Sequence, residues 1–326
     1  MKANFSINNN MLNRVIEISK VIGNLELQAK RNLKLRKENR IKAIQSSLAI
    51  ENNSLTIEQI TAIIEGKRVL GDPKEIKEVK NAYDVYEAIS MLNPYEQADF
   101  LNAHLLLTRD LVKTPGQYRI KDVGVFDELG NVIHMGARSQ FIGELMSELF
   151  EWGANDKAPE IIKSCIFHYE IEAIHPFEDG NGRMGRLWQT VILAKWQPIF
   201  AWLPVETIIH ENQGSYYKAL AKADKNNDSS VFVEFMLDII YETLTTYMAS
   251  DEIADKSSIE LSFAESHVFS LLNKYLVKRD YISTAVASTL IHKSDATTRR
   301  YLVRFVELGL LKSSGSNKNR KYSLKK

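Results

Sequence analysis

Apolar residues recur every three to four positions along most of the chain, which is the spacing of helix faces that pack into a core. This pattern predicts helices over residues 11–67 and again through a longer body over residues 73–247. Within the first region, Thr56 followed three positions later by Gln59 predicts a capping box at the start of a short helix, residues 57–65. The predicted fold class is therefore mainly α.

Two stretches depart from this helical pattern. Between residues 118 and 135, apolar and polar residues alternate on both sides of a turn at Glu128–Asn131, which predicts a β-hairpin. After a polar stretch at residues 251–260 that is typical of a linker, the tail has three helical segments and then a Gly/Ser-centred turn between two short strand-like runs. That order is typical of a winged helix-turn-helix domain.

Length and composition indicate the number of domains and the compartment. A chain of 326 residues exceeds one domain of about 100–200 residues, and 44% hydrophobic with 25% charged residues is an ordinary globular balance. We expect an N-terminal helical region over residues 1–72, a core over residues 73–250 and a tail domain over residues 258–326. The single cysteine, Cys165, excludes an internal disulfide, and no stretch reaches the ~18 apolar residues of a membrane span. A cytoplasmic protein with no membrane partner is expected.

The net charge of +1 conceals an uneven distribution. From Ser258 to Lys326 there are 13 Lys and Arg against 5 Asp and Glu, a balance of +8, so the rest of the chain carries −7. An acidic body joined to a basic tail indicates a polyanion such as DNA as a partner of the tail. The candidate contacts are Arg299, Arg300 and Arg304 on the third tail helix and Lys318, Arg320 and Lys321 in the following turn region.

One string of residues, HPFEDGNGRMGR from His175 to Arg186, carries most of the chemical information. Its Gly180-Asn181-Gly182 run disfavours a helix, because glycine there costs about 1 kcal/mol and asparagine favours turns. The residues that follow are apolar at helical spacing, so a loop that leads into a helix is predicted. Backbone N–H groups and the helix dipole at such a junction bind anions, and a phosphate chain is the natural ligand.

The charged side chains of the same string fit a phosphate ligand. Arg183 and Arg186 lie three positions apart, hence on one helix face, where guanidinium groups match phosphate oxygens. Asp179 stands at the entrance of the loop, where a carboxylate can hold Mg²⁺ bound to phosphates. A neutral His175 imidazole can accept a proton from an attacking hydroxyl group. A zinc site on His175 and Asp179 is disfavoured, because no second His/Cys cluster has a fitting spacing.

The string resembles the signature of the Fic (Fido) family, which is HPF, any residue, Asp or Glu, GNGR, two residues and Arg. Every fixed position is met between His175 and Arg186. The resemblance implies a Fic-type helical core in which the hairpin is a flap that aligns a target segment as an added strand. It also implies a protein adenylyltransferase, a nucleotidyltransferase that uses ATP and Mg²⁺ to attach AMP to a Tyr, Thr or Ser hydroxyl group of a target protein or of itself.

The resemblance also assigns roles to single residues. His175 is implied to be the general base and Asp179 the Mg²⁺ ligand, and Phe177 is implied to anchor the loop in the core. The residues implied to contact ATP are Ile133 and His134 at the end of the hairpin, Asp179, Gly180, Asn181, Gly182, Arg183, Met184, Gly185 and Arg186 in the motif, and Asn212, Tyr216, Tyr217 and Asp224 downstream. An alternative places the two tyrosines in the core.

A second motif precedes the core. The string SLAIEN, Ser47 to Asn52, matches the inhibitory pattern of the family, which is Ser or Thr, three residues, Glu, and then Gly or Asn. Its place ahead of the core is similar to the Fic class with an N-terminal inhibitory helix. The resemblance implies an autoinhibitory role for Ser47 and Glu51, in which Glu51 pairs with Arg186 and withholds that guanidinium from the γ-phosphate of ATP.

Three alternatives stay open. The same site can remove AMP from a modified protein, with Glu51 activating a water molecule. A protein of another class, a DNA-binding transcriptional regulator whose Fic core senses nucleotide, would use the basic tail. Tail domains of this kind also dock proteins or mediate dimerisation, so a homodimer is a further alternative.

Overall fold

The computed structural model describes residues 4–28, 33–126, 132–257, 261, 263–315 and 320–325 of the chain. The chain separates into two compact units, unit 1 (residues 1–243) and unit 2 (residues 244–326). The predicted hairpin turn, Glu128–Asn131, and Lys318 of the tail lie outside the described residues. The boundary expected between residues 72 and 73 stays a prediction, since both regions belong to unit 1.

Helices make up most of unit 1. In chain order they are α1 (Asn9–Gln28), α2 (Leu33–Ile50), α3 (Ile57–Ile64), α4 (Pro73–Glu87), α5 (Gln97–Thr108), α6 (Ile142–Asn155), α7 (Glu160–Ile174), α8 (Asn181–Trp196), α9 (Val205–Glu211), α10 (Gln213–Asn226) and α11 (Ser230–Ser257), which continues into unit 2. The predicted capping box starts α3, since Thr56 Oγ1 accepts from Gln59 N and the Gln59 side chain accepts from Thr56 N.

Helices α7 and α8 lie at the centre of unit 1. Both are buried along most of their length, as the apolar sequence of α8 predicts. Around them, the rings of Phe100, Phe150 and Trp188 contact one another edge to face. The fully buried Trp188 donates its indole N–H to Pro94 O, so its polar atom is satisfied inside the core. A densely packed core therefore supports the loop that joins α7 to α8.

Among the described residues of unit 1, the strands are β1 (Gly124–Phe126) and β2 (Val132–Met135). They pair antiparallel, with Val125 opposite His134. The pair is shorter than the predicted hairpin, because residues 118–123 are not in a strand and make hydrogen bonds to other parts of unit 1.

Unit 2 combines helices with a small sheet. Its elements after α11 are α12 (Phe263–Leu276), β3 (Ile282–Ser283), α13 (Thr284–Leu290), α14 (Asp295–Glu307), β4 (Leu311–Ser314) and β5 (Lys321–Leu324). Strand β5 lies between β3 and β4 and is antiparallel to both. Leu272, Leu302 and Phe305 pack with Tyr322 in a core of its own. The three helices and the last strand pair agree with the sequence pattern, which gives no signal for a strand as short as β3.

The linker predicted at residues 251–260 is wrong over its first part, because α11 continues to Ser257. Neither glycine nor proline occurs in residues 251–257, so no local signal ends the helix. Residues 258–260 lie outside the described residues. No helix in the described parts of the chain combines the length and the apolar character needed to cross a membrane.

Candidate active site

The HPFEDGNGRMGR string forms a loop and the start of a helix. Helix α7 ends at Ile174, residues 175–180 form the loop, and α8 begins at Asn181. Asn181 and Gly182, which the sequence places in the loop, are thus the first residues of α8. Turn-forming residues are tolerated there, because the first N–H groups of a helix have no intrahelical partner to lose.

The backbone is left-handed at both ends of the loop. Gly180 has a φ of 87°, which glycine adopts without steric cost. His175 has a φ of 55°, which costs a residue with a side chain of order 1 kcal/mol. Its ring is half-buried, with Nδ1 3.4 Å from Glu172 O. Strain of this kind persists only where surrounding contacts impose it, and it is concentrated at active sites.

Two stacked rings support the loop from the core. Phe177 is fully buried, as its apolar side chain predicts, and its ring stacks on His104 of α5 with centroids 3.6 Å apart. His104 Nδ1 accepts from Gly116 N at 2.9 Å, and Nε2 donates to Asp179 O at 3.1 Å. Burial lowers the pKa of His104 to about 4, so the ring is neutral at pH 7. His104 is therefore a fixed, uncharged support between α5 and the loop.

Asn181 closes the loop from the first turn of α8. Its Oδ1 accepts from Phe177 N and its Nδ2 donates to Phe177 O, both at 2.9 Å. The residue is buried. Asn181 is a predicted ATP contact, but the structure uses both polar atoms of its side chain within the loop. It therefore shapes the backbone around which a phosphate would bind.

The N-terminus of α8 is where the sequence predicts that an anion binds. Within the described part of the chain no side-chain hydrogen bond caps this helix, so its first N–H groups lack a partner, and the helix dipole adds a positive potential. Because Gly182 has no side chain, the Glu51 carboxylate approaches this end of the helix closely. A Cβ placed on Gly182 would lie 2.5 Å from Glu51 Oε1 and 3.2 Å from Arg186 Nη1. The position expected to hold a phosphate therefore holds a carboxylate of the same chain.

Arg186 binds this carboxylate and the rest of the SLAIEN motif. Its Nη2 donates to Glu51 Oε1 at 2.6 Å and to Ser47 O at 3.1 Å, and its Nε donates to Ser47 Oγ at 3.2 Å. The Arg186 side chain is 1% exposed and the Glu51 side chain 38%. Burial lowers the pKa of Arg186, but the charge and hydrogen bond of Glu51, together with Tyr216 and Glu172, more than offset this effect, so the pKa is raised. The structure thus brings Ser47, Glu51 and Arg186 together.

The end of α2 holds Glu51 in place. The turn after the helix has the two hydrogen bonds of a Schellman motif, from Asn53 N to Leu48 O and from Asn52 N to Ala49 O. Asn52 occupies its left-handed position with a φ of 66°, where glycine and asparagine are favoured. This conformation gives a physical reason for the Gly or Asn that follows Glu in the motif.

Arg183 has a different set of partners. Its Nη2 donates to Asp179 Oδ1 at 3.1 Å, and its Nη1 lies 3.7 Å from Glu78 Oε1 of α4. The residue is buried, yet its Nε and Nη1 make no hydrogen bond within the described part of the chain. Buried donors without acceptors cost free energy unless a ligand supplies the acceptors. Arg183 and Arg186, predicted to share one face, therefore differ: only Arg186 is held by the SLAIEN motif.

A buried polar layer lies beneath the site. The Tyr216 hydroxyl group lies 2.9 Å from His168 Nε2 and 3.1 Å from Glu172 Oε1. Burial lowers the pKa of His168 to about 3 and raises the pKa of Tyr216 well above its usual value. Tyr216 is fully buried, so the structure places this predicted ATP contact in the core, as the alternative reading of the sequence had it.

The other predicted contacts outside the motif lie on neighbouring elements. Ile133 and His134 belong to β2. Asn212, between α9 and α10, donates its Nδ2 to a carbonyl group of α9. Tyr217 is half-exposed on α10, and Asp224 is exposed near the end of that helix. Since β2 lies beside α10, the two groups of residues are neighbours in space.

Gly185 and Met184 face the core. Met184 is fully buried, and a Cβ placed on Gly185 would lie 2.7 Å from His168 Cδ2 and 3.4 Å from His168 O. Gly185→Ala should therefore lower the free energy of unfolding by about 1–3 kcal/mol, the usual cost of overpacking. Denaturant unfolding followed by circular dichroism measures the change.

Gly143→Ala is the matched control, since no atom lies within 4 Å of the added Cβ. Alanine at this helical position should leave stability unchanged or raise it by up to about 1 kcal/mol. Equal losses in the two variants would contradict the packing argument.

Three residues that shape the site carry no signal in the sequence. His104 is a lone histidine in an apolar helix, which usually indicates an ordinary core residue. Arg119 and Glu78 are single charges in polar surroundings, yet Arg119 is 2% exposed in the structure. Glu172 could have been predicted from the sequence as a neighbour of His175, because it lies three positions earlier in a predicted helix.

Known proteins resemble this chain in sequence and in fold. Residues 94–193, which include the loop and both arginines, match the Fic/DOC family. The crystal structure of a Fic family protein from Desulfovibrio desulfuricans G20 is 39% identical, with a TM-score of 0.75 over 99% of this chain and 98% of that chain. The chain belongs to the Fic family. The mainly helical Fic fold predicted from the sequence is thereby confirmed.

Curated relatives of this Fic chain are named as adenylyltransferases. The chain is 29% identical over 230 residues to Protein adenylyltransferase Fic of Nematostella vectensis and 27% identical over 247 residues to Protein adenylyltransferase fic-1 of Caenorhabditis elegans. The matches cover 67% and 69% of this chain but only 51% and 45% of the relatives, so the chain spans about half their length. A Fic-1 fragment (aa134 - 508) from C. elegans has a similar fold, with a TM-score of 0.62 over 75% of this chain at 20% identity.

Proposed function

We propose that this Fic protein is an adenylyltransferase that transfers AMP from ATP to a hydroxyl group of a target protein. The proposal is carried by the N-terminus of α8, where uncapped N–H groups, Arg186 and the spare donors of Arg183 offer a site for phosphates. His175 stands at the other end of the same six-residue loop. The names of the curated relatives support the same reaction.

In this proposal the two arginines hold the phosphates and His175 acts on the incoming hydroxyl group. His175 takes the hydroxyl proton as the hydroxyl oxygen forms a bond to the α-phosphorus of ATP. The bond from this phosphorus to the bridging oxygen breaks, and pyrophosphate leaves with the electron pair. Arg183 and Arg186 stabilise the negative charge that develops on the leaving group.

Asp179 fits the role of Mg²⁺ ligand in the same proposal. Its side chain is 54% exposed at the loop, and Mg²⁺ is usually held by one or two carboxylates together with water and substrate phosphates. Among the described residues, no group of three or more His, Cys, Asp or Glu could hold a metal ion on its own, which suits an ion that binds together with ATP. When bound, Mg²⁺ would neutralise charge on the phosphates.

Glu51 would hold the enzyme in check. Its carboxylate takes the anion position at α8 and engages Arg186, which the γ-phosphate needs. The two negative groups exclude each other by charge and by space, so ATP would bind with its α-phosphate misaligned for attack. The partial exposure of the Glu51 side chain leaves a route by which it can be displaced.

The β1–β2 pair would be the flap that aligns the target. Within the described residues this sheet has only two strands, so an edge is available for a third. An extended target segment can bind by adding to such an edge through main-chain hydrogen bonds. This mode fits a target recognised by its backbone, with the modified hydroxyl group on a side chain.

Intact-mass spectrometry after incubation with Mg·ATP tests the proposed reaction through self-modification. Glu51→Gly should gain the mass of at least one adenylyl group, and a protein that also carries His175→Ala should gain none. A gain of phosphoryl mass would reject adenylyl transfer. Binding of Mg·ATP with no gain of adenylyl mass by this protein, and with no AMP incorporated into the proteins of an added lysate, would reject it as well.

We also propose that unit 2 is a winged helix-turn-helix that binds a polyanion such as DNA. The observation in favour is the outer face of α14, where Arg299 and Arg300 are exposed, together with exposed Arg320 and Lys321 at β5. Basic groups on a recognition helix and its adjoining strands contact phosphates in such domains. Arg304, predicted for the same face, lies 3.5 Å from a carboxylate oxygen of α12 and is less available.

Arg299→Gln combined with Arg300→Gln should weaken DNA retention by the full chain. Two lost phosphate contacts should reduce the slope of log K against log salt by about two. A gel shift over a salt series measures both quantities, and Arg279→Gln, an exposed arginine that follows α12, is the control. Unchanged retention in the double variant would indicate a solvated surface and favour a protein-docking tail.

A further inference from the structure

Arg119 is a buried arginine outside the signature motif. It is 2% exposed, and each of its three guanidinium nitrogens donates to a backbone carbonyl group. Nε donates to His175 O at 2.7 Å, Nη1 to Lys121 O at 2.6 Å, and Nη2 to Ile174 O at 3.3 Å and to Ala137 O. One planar group therefore binds four carbonyl groups.

These hydrogen bonds join two parts of unit 1 that are distant in sequence. The carbonyl groups of Lys121 and Ala137 flank the β1–β2 pair, whereas the other two belong to the end of α7 and to His175 itself. The backbone N–H groups of Arg119 and Ala137 also donate to Pro176 O at 3.0 Å and to Ile174 O at 3.1 Å. Side-chain and main-chain hydrogen bonds thus fix the β1–β2 pair to the start of the 175–180 loop.

The surroundings of Arg119 are built closely around its guanidinium. Burial lowers its pKa, an effect that the charge of Asp122 offsets only in part. A Cβ placed on Gly136 would lie 2.8 Å from Arg119 Nη2 and 3.0 Å from His175 Cβ, so only glycine leaves room for both groups. The hydrogen bonds of this buried charge fix a geometry that includes the strained backbone of His175.

We propose that Arg119 is a positioning residue that holds His175 in register with the β1–β2 pair. This inference rests on the proposed function, in which the target hydroxyl group arrives on the strand pair and the base stands on the loop. Arg119 is bound to both, so it sets the distance between them. Small errors in such a distance slow a reaction strongly, because the reacting groups must be held within about 3–3.5 Å.

Arg119→Lys tests this inference in the full chain carrying Glu51→Gly. Lysine keeps the positive charge but lacks the planar fork that reaches carbonyl groups on both sides. We expect kcat for AMP transfer to fall by about ten- to a hundred-fold, while KM for ATP stays within about twofold because the phosphates are held at α8. Arg138→Lys, an exposed arginine just after β2, is the matched control and should change neither.

Backbone amide hydrogen exchange gives a second measurement that needs no activity. Arg119→Lys should raise exchange together in residues 119–126, 132–139 and 174–180, and leave the rest of unit 1 unchanged. Gly136→Ala places a methyl group 2.8 Å from Nη2 of the same guanidinium and should give the same pattern, whereas Gly143→Ala should not. This second variant keeps the test valid if Arg119→Lys does not fold.

The inference would be overturned if Arg119→Lys transferred AMP at a rate within about twofold of the parent protein and left amide hydrogen exchange unchanged. It would also be overturned if transfer and ATP binding fell equally or if exchange rose throughout unit 1, because Arg119 would then be a general structural residue. A parent protein without any AMP transfer would reject the proposed function. The exchange pattern would still decide whether Arg119 joins the loop to the strand pair.

Discussion

Replacing His175 with alanine in the Glu51→Gly background should reduce the rate of AMP transfer by about 10²–10⁴-fold, the usual contribution of a general base. ATP affinity should stay within about threefold, because in the proposed mechanism the imidazole acts on the hydroxyl group and the phosphates bind at α8. Incorporation of radiolabelled AMP and calorimetric titration with Mg·ATP measure the two quantities on the same protein.

His175→Asn separates the imidazole from the backbone. Asparagine tolerates the left-handed conformation at φ 55° better than alanine does, but it cannot act as the base. Both variants should lose transfer equally. A loss only in the alanine variant would assign the effect to the backbone, and transfer within about tenfold of the parent, ~1.4 kcal/mol of barrier, would reject the role of His175 as the base.

Replacing Glu51 with glycine should raise the initial rate of self-modification by about ten- to a hundred-fold. That range corresponds to about 1.4–2.7 kcal/mol, which is reasonable for an ion pair with one fully buried partner and one that is partly solvated. Arg186 loses its carboxylate but regains an anionic partner when ATP binds. The measurement is the initial rate of AMP incorporation at matched ATP and Mg²⁺ concentrations.

Two weaker variants make this test more specific. Glu51→Asp should give a rate between those of the wild type and Glu51→Gly, because one methylene less weakens the 2.6 Å contact with Arg186. Ser47→Ala removes one acceptor and leaves the carboxylate in place, so its effect should be smaller. Equal rates for the wild type and Glu51→Gly would make the motif a coincidence. A slower Glu51→Gly, with faster AMP removal by the wild type, would favour the reverse reaction.

Local chemistry explains how much of this site could be predicted. The 175–180 loop, helix α8 after it and the capping box at Thr56 each depend on residues only a few positions apart, so the local sequence pattern predicts them. The boundary error at Asn181 and Gly182 has a local cause too, since penalties measured in helix interiors do not apply in a first turn. The overlong hairpin has a distant cause: Arg119 directs its hydrogen bonds to His175, 56 positions later.

The sequence by itself determined that a glycine-rich loop, a histidine and two guanidinium groups occur together, because their spacing along one loop and the first turns of one helix keeps them close. Only the tertiary structure decided their partners. By spacing Arg183 and Arg186 are equivalent, yet the turn after α2 supplies Glu51, 135 positions earlier, to Arg186 alone. His104 and Arg119 contact the loop only in the folded core, through hydrogen bonds to residues far away in sequence. Burial obliges each polar group to find a partner, and burial is a property of the whole fold.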